Sequence, residues 1–78
     1  MRNEINYIDL FSGAGGMSLG FDQAGFNNIF SVDIEPSFCE TYKTNFPKHN
    51  LIQKDISKLS NEEIKSLIGN QIIDVIIG

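Results

Sequence analysis

Cysteine, positive charge and long apolar runs are scarce in this sequence, and each shortage excludes a class of protein. A single cysteine excludes an internal disulfide. Six scattered lysine and arginine residues in a chain of net charge −4 argue against tight binding of nucleic acid by this segment alone, because such affinity comes mostly from neutralised phosphates. No run approaches the roughly 18 apolar residues that span a membrane. The N-terminus also lacks the apolar core of a secretory signal, which predicts a cytoplasmic protein.

The length and the spacing of apolar runs restrict the fold. Seventy-eight residues can form one small domain, which buries roughly 60% of the surface of its unfolded chain. Apolar strand-like runs alternate with helical patterns about every 20 residues, an order typical of βαβ units. The sequence contains no internal repeat, low-complexity tract or linker that would divide it.

A glycine-rich run directly after an apolar strand is the most informative segment. Residues 5–11 are rich in β-branched and aromatic types, and the glycines of residues 13–16 end the strand abruptly. Helical spacing follows over residues 17–24, and Gly25 is placed to end that helix in a left-handed conformation. A glycine turn between strand and helix lets a ligand approach the backbone itself.

The glycine spacing only partly matches the dinucleotide pattern G-x-G-x-x-G. Gly13 and Gly15 occupy its first two positions, but Ser18 stands at the third. Asp33 ends the next strand-like run, residues 28–32, and follows Gly13 by 20 positions, the spacing at which Rossmann-type units present an acid to a ribose. One carboxylate can accept hydrogen bonds from both ribose hydroxyls. The residues alone leave a structural turn and a solvated or capping carboxylate open as alternatives.

Two further helices are predicted downstream. Pro36 suits the first turn of a helix in which Phe38, Tyr42 and Phe46 recur at four-residue steps, a stripe that we expect to belong to the core, and Pro47 blocks its continuation. Residues 60–63 have the form of a capping box, residues 64–68 supply an apolar face, and Gly69 ends the third helix.

The last strand and the fold class follow from this order. Residues 72–77 are expected to form a strand buried on both faces, as parallel sheets require. We predict an α/β fold with a partial Rossmann-like, doubly wound parallel sheet of about four strands in the order 3-2-1-4 and three helices. Ligand binding is expected at the carboxyl ends of the strands, near the switch between strands 1 and 4.

Three side chains that could be reactive are expected to have no role in catalysis or metal binding. Asp9 precedes the end of its strand and is expected to serve the backbone of the turn. Cys39 lies on a helix without a neighbouring histidine or cation, so it is expected to pack as a small hydrophobe instead of acting as a nucleophile. His49 has no second ligand at metal spacing and is expected to be exposed and inert.

The sequence resembles the cytosine-C5 DNA methyltransferases, which use S-adenosylmethionine, in four blocks. Residues 9–16, Asp-Leu-Phe-Ser-Gly-Ala-Gly-Gly, are similar to the first block, and residues 31–35 with the following helix are similar to the second. Residues 54–56, Lys-Asp-Ile, are similar to the third block, and residues 74–78 resemble the strand that leads into the fourth. The resemblance implies that residues 1–78 are the N-terminal cofactor-binding part of a catalytic domain, ending before the catalytic cysteine.

The resemblance also implies the positions that contact the cofactor. The loop would lie against the methionine part, Asp33 would take the ribose hydroxyls, and Asp55 would meet the adenine edge. Apolar side chains would cover the adenine ring. The cofactor-binding residues predicted in this way are Phe11, Ser12, Gly13, Ala14, Gly15, Gly16, Asp33, Ile34, Asp55 and Ile56, and no catalytic residue or metal ligand is predicted. From the residues alone, Asp55 is better explained as a cap or turn carboxylate.

The function implied is methyl transfer to C5 of cytosine in DNA, with cytosine flipped out and a cysteine thiolate added to its C6. We expect this chain alone to be inactive and the DNA contacts to come from the rest of the enzyme. Two alternatives stay open: an NAD-binding Rossmann fragment of an oxidoreductase, and a non-enzymatic truncated module that pairs with a separate chain. An apolar strand at a sheet edge also predicts self-association through residues 72–77.

Overall fold

Strands and helices alternate along the chain in the computed structural model, which describes residues 4–13 and 15–78. Within those residues it has four strands and three α-helices, and a short 3-10 turn follows the third strand. The elements in chain order are β1 (Asn6–Asp9), α1 (Gly16–Gln23), β2 (Asn27–Asp33), α2 (Pro36–Asn45), β3 (Leu51–Gln53), the 3-10 turn (Ile56–Lys58), α3 (Asn61–Ile68) and β4 (Val75–Ile77). No helix of the described residues is both long and apolar enough to cross a membrane.

The strands form a single parallel sheet in the order β3-β2-β1-β4, which confirms the predicted fold class and strand order. Asp9 pairs with Ser31 on one side and with Ile77 on the other, and Asp33 pairs with Gln53. The carboxyl ends of all four strands therefore meet along one edge of the sheet. The chain runs from β1 through β2 to β3 on one side and then crosses back to β4 on the other side of β1, which places the switch point at this edge, between β1 and β4.

The two faces of the sheet differ in chemistry. Ile8, Phe30 and Val32 point to an aliphatic core, which α3 and Leu59 cover. The alternate positions Tyr7, Asp9 and Ser31 point to the other face, where they bond to side chains or backbone of α1 and α2. Hydrophobic burial thus anchors one face, whereas buried hydrogen bonds organise the face beneath α1 and α2.

The helix ends follow the predicted signals. Gly25, at φ +85°, follows the C-cap of α1, and Pro36 occupies the first turn of α2. At the start of α3, Ser60 accepts a hydrogen bond from the Glu63 N–H at 3.1 Å while the Glu63 carboxylate accepts from the Ser60 N–H at 3.3 Å. This reciprocal pair is the predicted capping box.

Two predictions about burial are wrong. Residues 72–77 do not form a strand that is buried on both faces: β4 comprises Val75–Ile77 only, and Ile76 is 63% exposed. Because β4 lies at the edge of the sheet, the described residues provide no layer over Ile76. Phe38 is 48% exposed although Tyr42 and Phe46 of the same stripe are buried. Phe38 belongs to the first turn of α2, beyond the end of β2, where the described part of the chain has nothing to cover it.

Candidate functional site

The carboxyl edge of the sheet brings the glycine loop, the end of β2 and the turn after β3 together. A cleft of about 70 Å³ lies there, and its walls are formed by Leu10, Phe11, Asp33, Ile34, Lys54, Asp55 and Ile56. Sites that enclose small molecules usually measure about 300–1,000 Å³, so this cleft is too small to enclose one by itself. A larger cavity of about 540 Å³ lies near Asp22 and His49, but none of the predicted site residues line it.

Two glycines give the loop its shape. Gly13 has φ +55° and Gly15 has φ +101°, a conformation that side chains disfavour. Gly15 is buried against α2, where an added Cβ would lie 2.5 Å from Phe46 Cε2 and 3.1 Å from Tyr42 Cδ2. Gly16 is the first residue of α1 and has open space around it. Ala14, which was predicted to contact a cofactor, lies outside the described residues.

The loop is bonded to β2 and within itself. The Ser12 N–H donates to the Val32 carbonyl at 2.9 Å, and the Gly15 N–H donates to the Ser12 carbonyl at 3.0 Å. The Ser12 side chain is buried, yet its Oγ has no hydrogen-bond partner among the described residues. A buried hydroxyl without a hydrogen-bond partner is destabilising, because it has lost its bonds to water and gained none in the protein. The Ser12 hydroxyl, beside the glycines of the loop, is thus available for a further hydrogen bond.

Asp33 connects the loop to the end of β2. Its Oδ2 accepts the Gly13 N–H at 2.8 Å, and its Oδ1 accepts the Glu35 N–H at 2.8 Å. An ionised carboxylate has about four acceptor positions, so two are left for further donors. The half-buried carboxylate is therefore held in a fixed orientation at the mouth of the cleft. Gly13 and Asp33, which are 20 positions apart in the sequence, are therefore in direct contact.

Asp55 has the capping role that the sequence predicts when the family resemblance is left aside. Its Oδ1 accepts both the Ser57 N–H at 2.9 Å and the Ser57 hydroxyl at 2.8 Å, which begins the 3-10 turn. These hydrogen bonds hold the pKa of the Asp55 carboxyl below its ordinary value. The capping bonds also place Ile56 beside the cleft, where it packs partly against the aliphatic core. Asp55 is thus an ionised group on the cleft wall.

Large apolar side chains flank the same cleft. Phe11 is 64% exposed and Ile34 is 61% exposed. Both lie directly beside Asp33 in the cleft wall. Exposed apolar surface beside fixed polar groups is typical of ligand sites, in which the apolar surface supplies contact area and the polar groups fix orientation.

Asp9 supports the loop from below, as predicted. It is 2% exposed; its Oδ1 accepts the Phe11 N–H at 3.2 Å and its Oδ2 accepts the Ser18 hydroxyl at 3.0 Å. Burial raises the pKa of the Asp9 carboxyl. Cys39 is also buried, and burial raises the pKa of its thiol, so the prediction that it is not a nucleophile is consistent with its surroundings.

The prediction that His49 is exposed is wrong. Its side chain is 12% exposed, with Nε2 2.9 Å from Asp22 Oδ2 and Nδ1 2.7 Å from the Tyr42 hydroxyl. Its ring also stacks on Phe46, with 4.7 Å between centroids. The turn before β3 carries His49 back to α1, a contact between residues 27 positions apart that no local sequence pattern indicates.

Comparisons with known proteins agree with this arrangement. The family model described as "C-5 cytosine-specific DNA methylase" matches residues 5–78. The chain is 53% identical over 74 residues to type II methyltransferase M1.HphI of Haemophilus parahaemolyticus, covering 95% of this chain and 20% of that protein. It is 47% identical over 73 residues to type II methyltransferase M.XorII of Xanthomonas oryzae pv. oryzae, covering 91% of this chain and 17% of that protein.

A solved structure gives the same result in three dimensions. A protein described as a DNA modification methyltransferase encoded within an E. coli prophage superposes with a TM-score of 0.85 at 45% identity, covering 96% of this chain and 22% of the other. The chain therefore spans about a fifth of the length of the relatives that it matches. Family match, strand order and loop position agree: this chain belongs to the C-5 cytosine-specific DNA methylase family.

Proposed function

We propose that this chain is the S-adenosylmethionine-binding part of a DNA (cytosine-5)-methyltransferase. The observation that carries the proposal is the 2.8 Å hydrogen bond between the Gly13 N–H and the Asp33 carboxylate. It joins the glycine loop to an acid with two acceptor positions still available at the switch point of the sheet. Family membership supports the same cofactor.

The residues at the cleft fit an adenosyl group. Asp33 would accept hydrogen bonds from the two ribose hydroxyls, and Ile34 and Ile56 would cover the adenine. The carboxylate of Asp55 would accept a hydrogen bond from the adenine amine. The methionine part would lie along the loop from Phe11 to Gly16, where the buried Ser12 hydroxyl still needs a partner.

The first turn of α1 suits the carboxylate of the methionine part. It contains no acidic residue, and the N–H groups of a helix N-terminus attract anions. The cofactor, when bound, supplies the electrophilic methyl group. The residues of this chain bind and orient it.

We place the chemical step outside this chain. Cys39 is buried and its Sγ lies 3.5 Å from the Asp33 carbonyl, so it does not face the cleft as a nucleophile. The thiolate that adds to cytosine C6 and the main DNA contacts are proposed to belong to the rest of the enzyme. Residues 1–78 would then be the N-terminal part of the catalytic domain, inactive alone, and located in the cytoplasm with their DNA substrate.

A ligand titration tests the cofactor proposal. Amide resonances of Gly13, Gly15, Asp33 and Asp55 are followed while S-adenosylmethionine, S-adenosylhomocysteine or NAD is added to the purified chain. We expect saturable shifts with the two adenosyl ligands and none with NAD. Because Ser18 replaces the third glycine of the dinucleotide pattern, NAD is the matched negative control. Shifts selective for NAD, or no saturable shift with any ligand, would contradict binding by this chain.

We propose self-association through β4 as a second property of the isolated chain. β4 forms an edge of the sheet, and Ile72 and Ile76 are 59% and 63% exposed. An unpaired apolar edge favours pairing with a second strand. Sedimentation velocity should show association that rises with concentration and is lost in Ile76→Lys but kept in Leu19→Lys, which changes an exposed residue of α1. A strictly monomeric wild-type chain at high concentration would refute it.

A further inference from the structure

A largely buried chain of polar side chains runs from the glycine loop to the last turn of α1. It consists of Asp9, Ser18, Tyr42, His49 and Asp22, in that order. The contacts between successive members measure 3.0, 3.1, 2.7 and 2.9 Å. Asp9, Ser18 and Tyr42 are almost completely buried. The two carboxylates at its ends are linked only through side chains that can both donate and accept protons.

Tyr42 is the centre of this chain. Its hydroxyl contacts Ser18 Oγ at 3.1 Å, Ser31 Oγ at 2.7 Å and His49 Nδ1 at 2.7 Å. A phenol has one proton to donate, so two of these three neighbours must donate to it. Burial raises the pKa of Tyr42, which keeps that proton on the phenol.

If Asp9 is ionised, counting protons sets the direction of every bond in this chain. An ionised Asp9 can only accept, so the Ser18 hydroxyl proton points to Asp9 and the Tyr42 proton must point to Ser18. The Asn28 Nδ2 donates to Ser31 Oγ at 2.9 Å, which leaves the Ser31 proton for Tyr42. His49 Nδ1 must then donate to Tyr42 as well, and Nε2 must donate to the Asp22 carboxylate. In this arrangement both ring nitrogens carry protons, so His49 is an imidazolium.

The reversed set of hydrogen bonds, in which Asp9 is protonated, needs the same total number of protons. If Asp9 were protonated, each bond would reverse as far as His49, which would become neutral with its proton on Nε2. The Asp22 carboxylate lies 2.9 Å from His49 Nε2 and stabilises a charged ring, so we place the shared proton on His49. Only this state allows Asp9 to accept the Ser18 hydroxyl as well as the Phe11 N–H of the loop.

We propose that Tyr42 and His49 are positioning residues for the cofactor loop, which they hold through a hydrogen-bond chain that keeps His49 charged and Asp9 ionised. The groups that face His49 support the charged state. Asp22 accepts from Nε2, and the Tyr7 hydroxyl lies 3.2 Å from the other oxygen of Asp22. Phe46 also stacks on the imidazole ring, whereas Lys48, the neighbour of His49 in the chain, is an exposed cation that opposes the charged state. The loop-holding role depends on the proposed cofactor function, whereas the proton arrangement does not.

The single histidine of the chain makes a direct test possible. Its ring ¹⁵N shifts report which nitrogens carry protons, without any ligand. At about pH 7, where an ordinary imidazole is mostly neutral, we expect both nitrogens of the wild-type His49 to be protonated. A neutral ring at this pH would overturn the proposal.

Two remote substitutions test the direction of the bonds. In Asp9→Asn, the amide oxygen keeps the Phe11 N–H and the amide N–H donates to Ser18, which reverses the chain. In Ser18→Ala, the Tyr42 hydroxyl loses its acceptor and donates its hydrogen bond to His49 Nδ1 instead. Both variants should convert His49 to the neutral form protonated on Nε2, although neither residue contacts His49. In a Tyr42→Phe background, Asp9→Asn should leave the His49 shifts unchanged.

Hydrogen exchange of the loop amides provides a second measurement. In Tyr42→Phe, hydrogen exchange of the Phe11 and Gly15 amides should accelerate by about tenfold or more relative to strand amides, since one charged hydrogen bond is worth roughly 1.5–3 kcal/mol. Thr44→Val is the matched control because its hydroxyl bonds only the Glu40 carbonyl on α2. Uniform acceleration across the sheet, or unchanged His49 shifts in both Asp9→Asn and Ser18→Ala, would contradict positioning through this chain.

Discussion

Replacing Gly15 with alanine is expected to lower the free energy of unfolding by about 2–5 kcal/mol and to abolish adenosyl-ligand binding. At φ +101° a side chain costs roughly 1–2 kcal/mol. The new Cβ would also lie 2.5 Å from Phe46 Cε2 and 3.1 Å from Tyr42 Cδ2, and such overpacking costs about 1–3 kcal/mol. The loss would be a large fraction of the stability of so small a domain. Urea unfolding and ligand titration measure both effects.

Two neighbouring glycines provide graded controls for this prediction. Gly13 has a positive φ but open space around it, so Gly13→Ala should cost about 1 kcal/mol. Gly16 begins α1 in open space, and Gly16→Ala should be neutral or stabilising by about 0.5–1 kcal/mol. If Gly15→Ala were tolerated as well as Gly16→Ala, the close contact of the loop with α2 would be wrong.

Replacing Asp33 with asparagine is expected to weaken S-adenosylmethionine binding by about 10- to 100-fold. Each hydrogen bond to a charged group contributes about 1.5–3 kcal/mol, and the neutral amide presents one acceptor oxygen where the carboxylate presents two. The Gly13 and Glu35 N–H groups already use one position on each carboxylate oxygen. Asparagine therefore cannot serve both amides and the ribose, and the dissociation constant measured by calorimetry should rise.

A matched variant separates the local effect from the loss of charge. Glu40→Gln removes one negative charge from an exposed position of α2 and should leave ligand affinity unchanged. Asp33→Asn should also reduce the free energy of unfolding by about 1–2 kcal/mol, because one backbone N–H loses its charged acceptor. Equal weakening in both variants would assign the effect to net charge and remove Asp33 from the site.

Much of the fold could be predicted because its signals are local. The capping box of Ser60 and Glu63, the helix-ending Gly25 and the glycine turn each act within a few residues. Alternation of strands and helices then restricts the connections to right-handed crossovers, from which the strand order follows. The placement of Asp33 at the end of β2 could also be predicted, because the spacing of a βαβ unit is regular, but its direct hydrogen bond to the Gly13 N–H was not predicted.

The remaining features depend on long-range packing. His49 was assigned to an exposed loop because its partners, Asp22 and Tyr42, come from two different helices and no local pattern joins them. The polar face of the sheet was missed for the same reason. Phe38 and Ile76 have the composition of core residues, but their exposure depends on which layers cover them.

A crystal structure of the chain with S-adenosylhomocysteine would test the central claim most directly. We expect both ribose hydroxyls within about 3 Å of the Asp33 carboxylate and the adenine between Ile34 and Ile56. The homocysteine part should follow the loop from Phe11 to Gly16. A nucleoside bound instead in the larger cavity beside Asp22 and His49, with the carboxyl edge of the sheet left unused, would contradict the account.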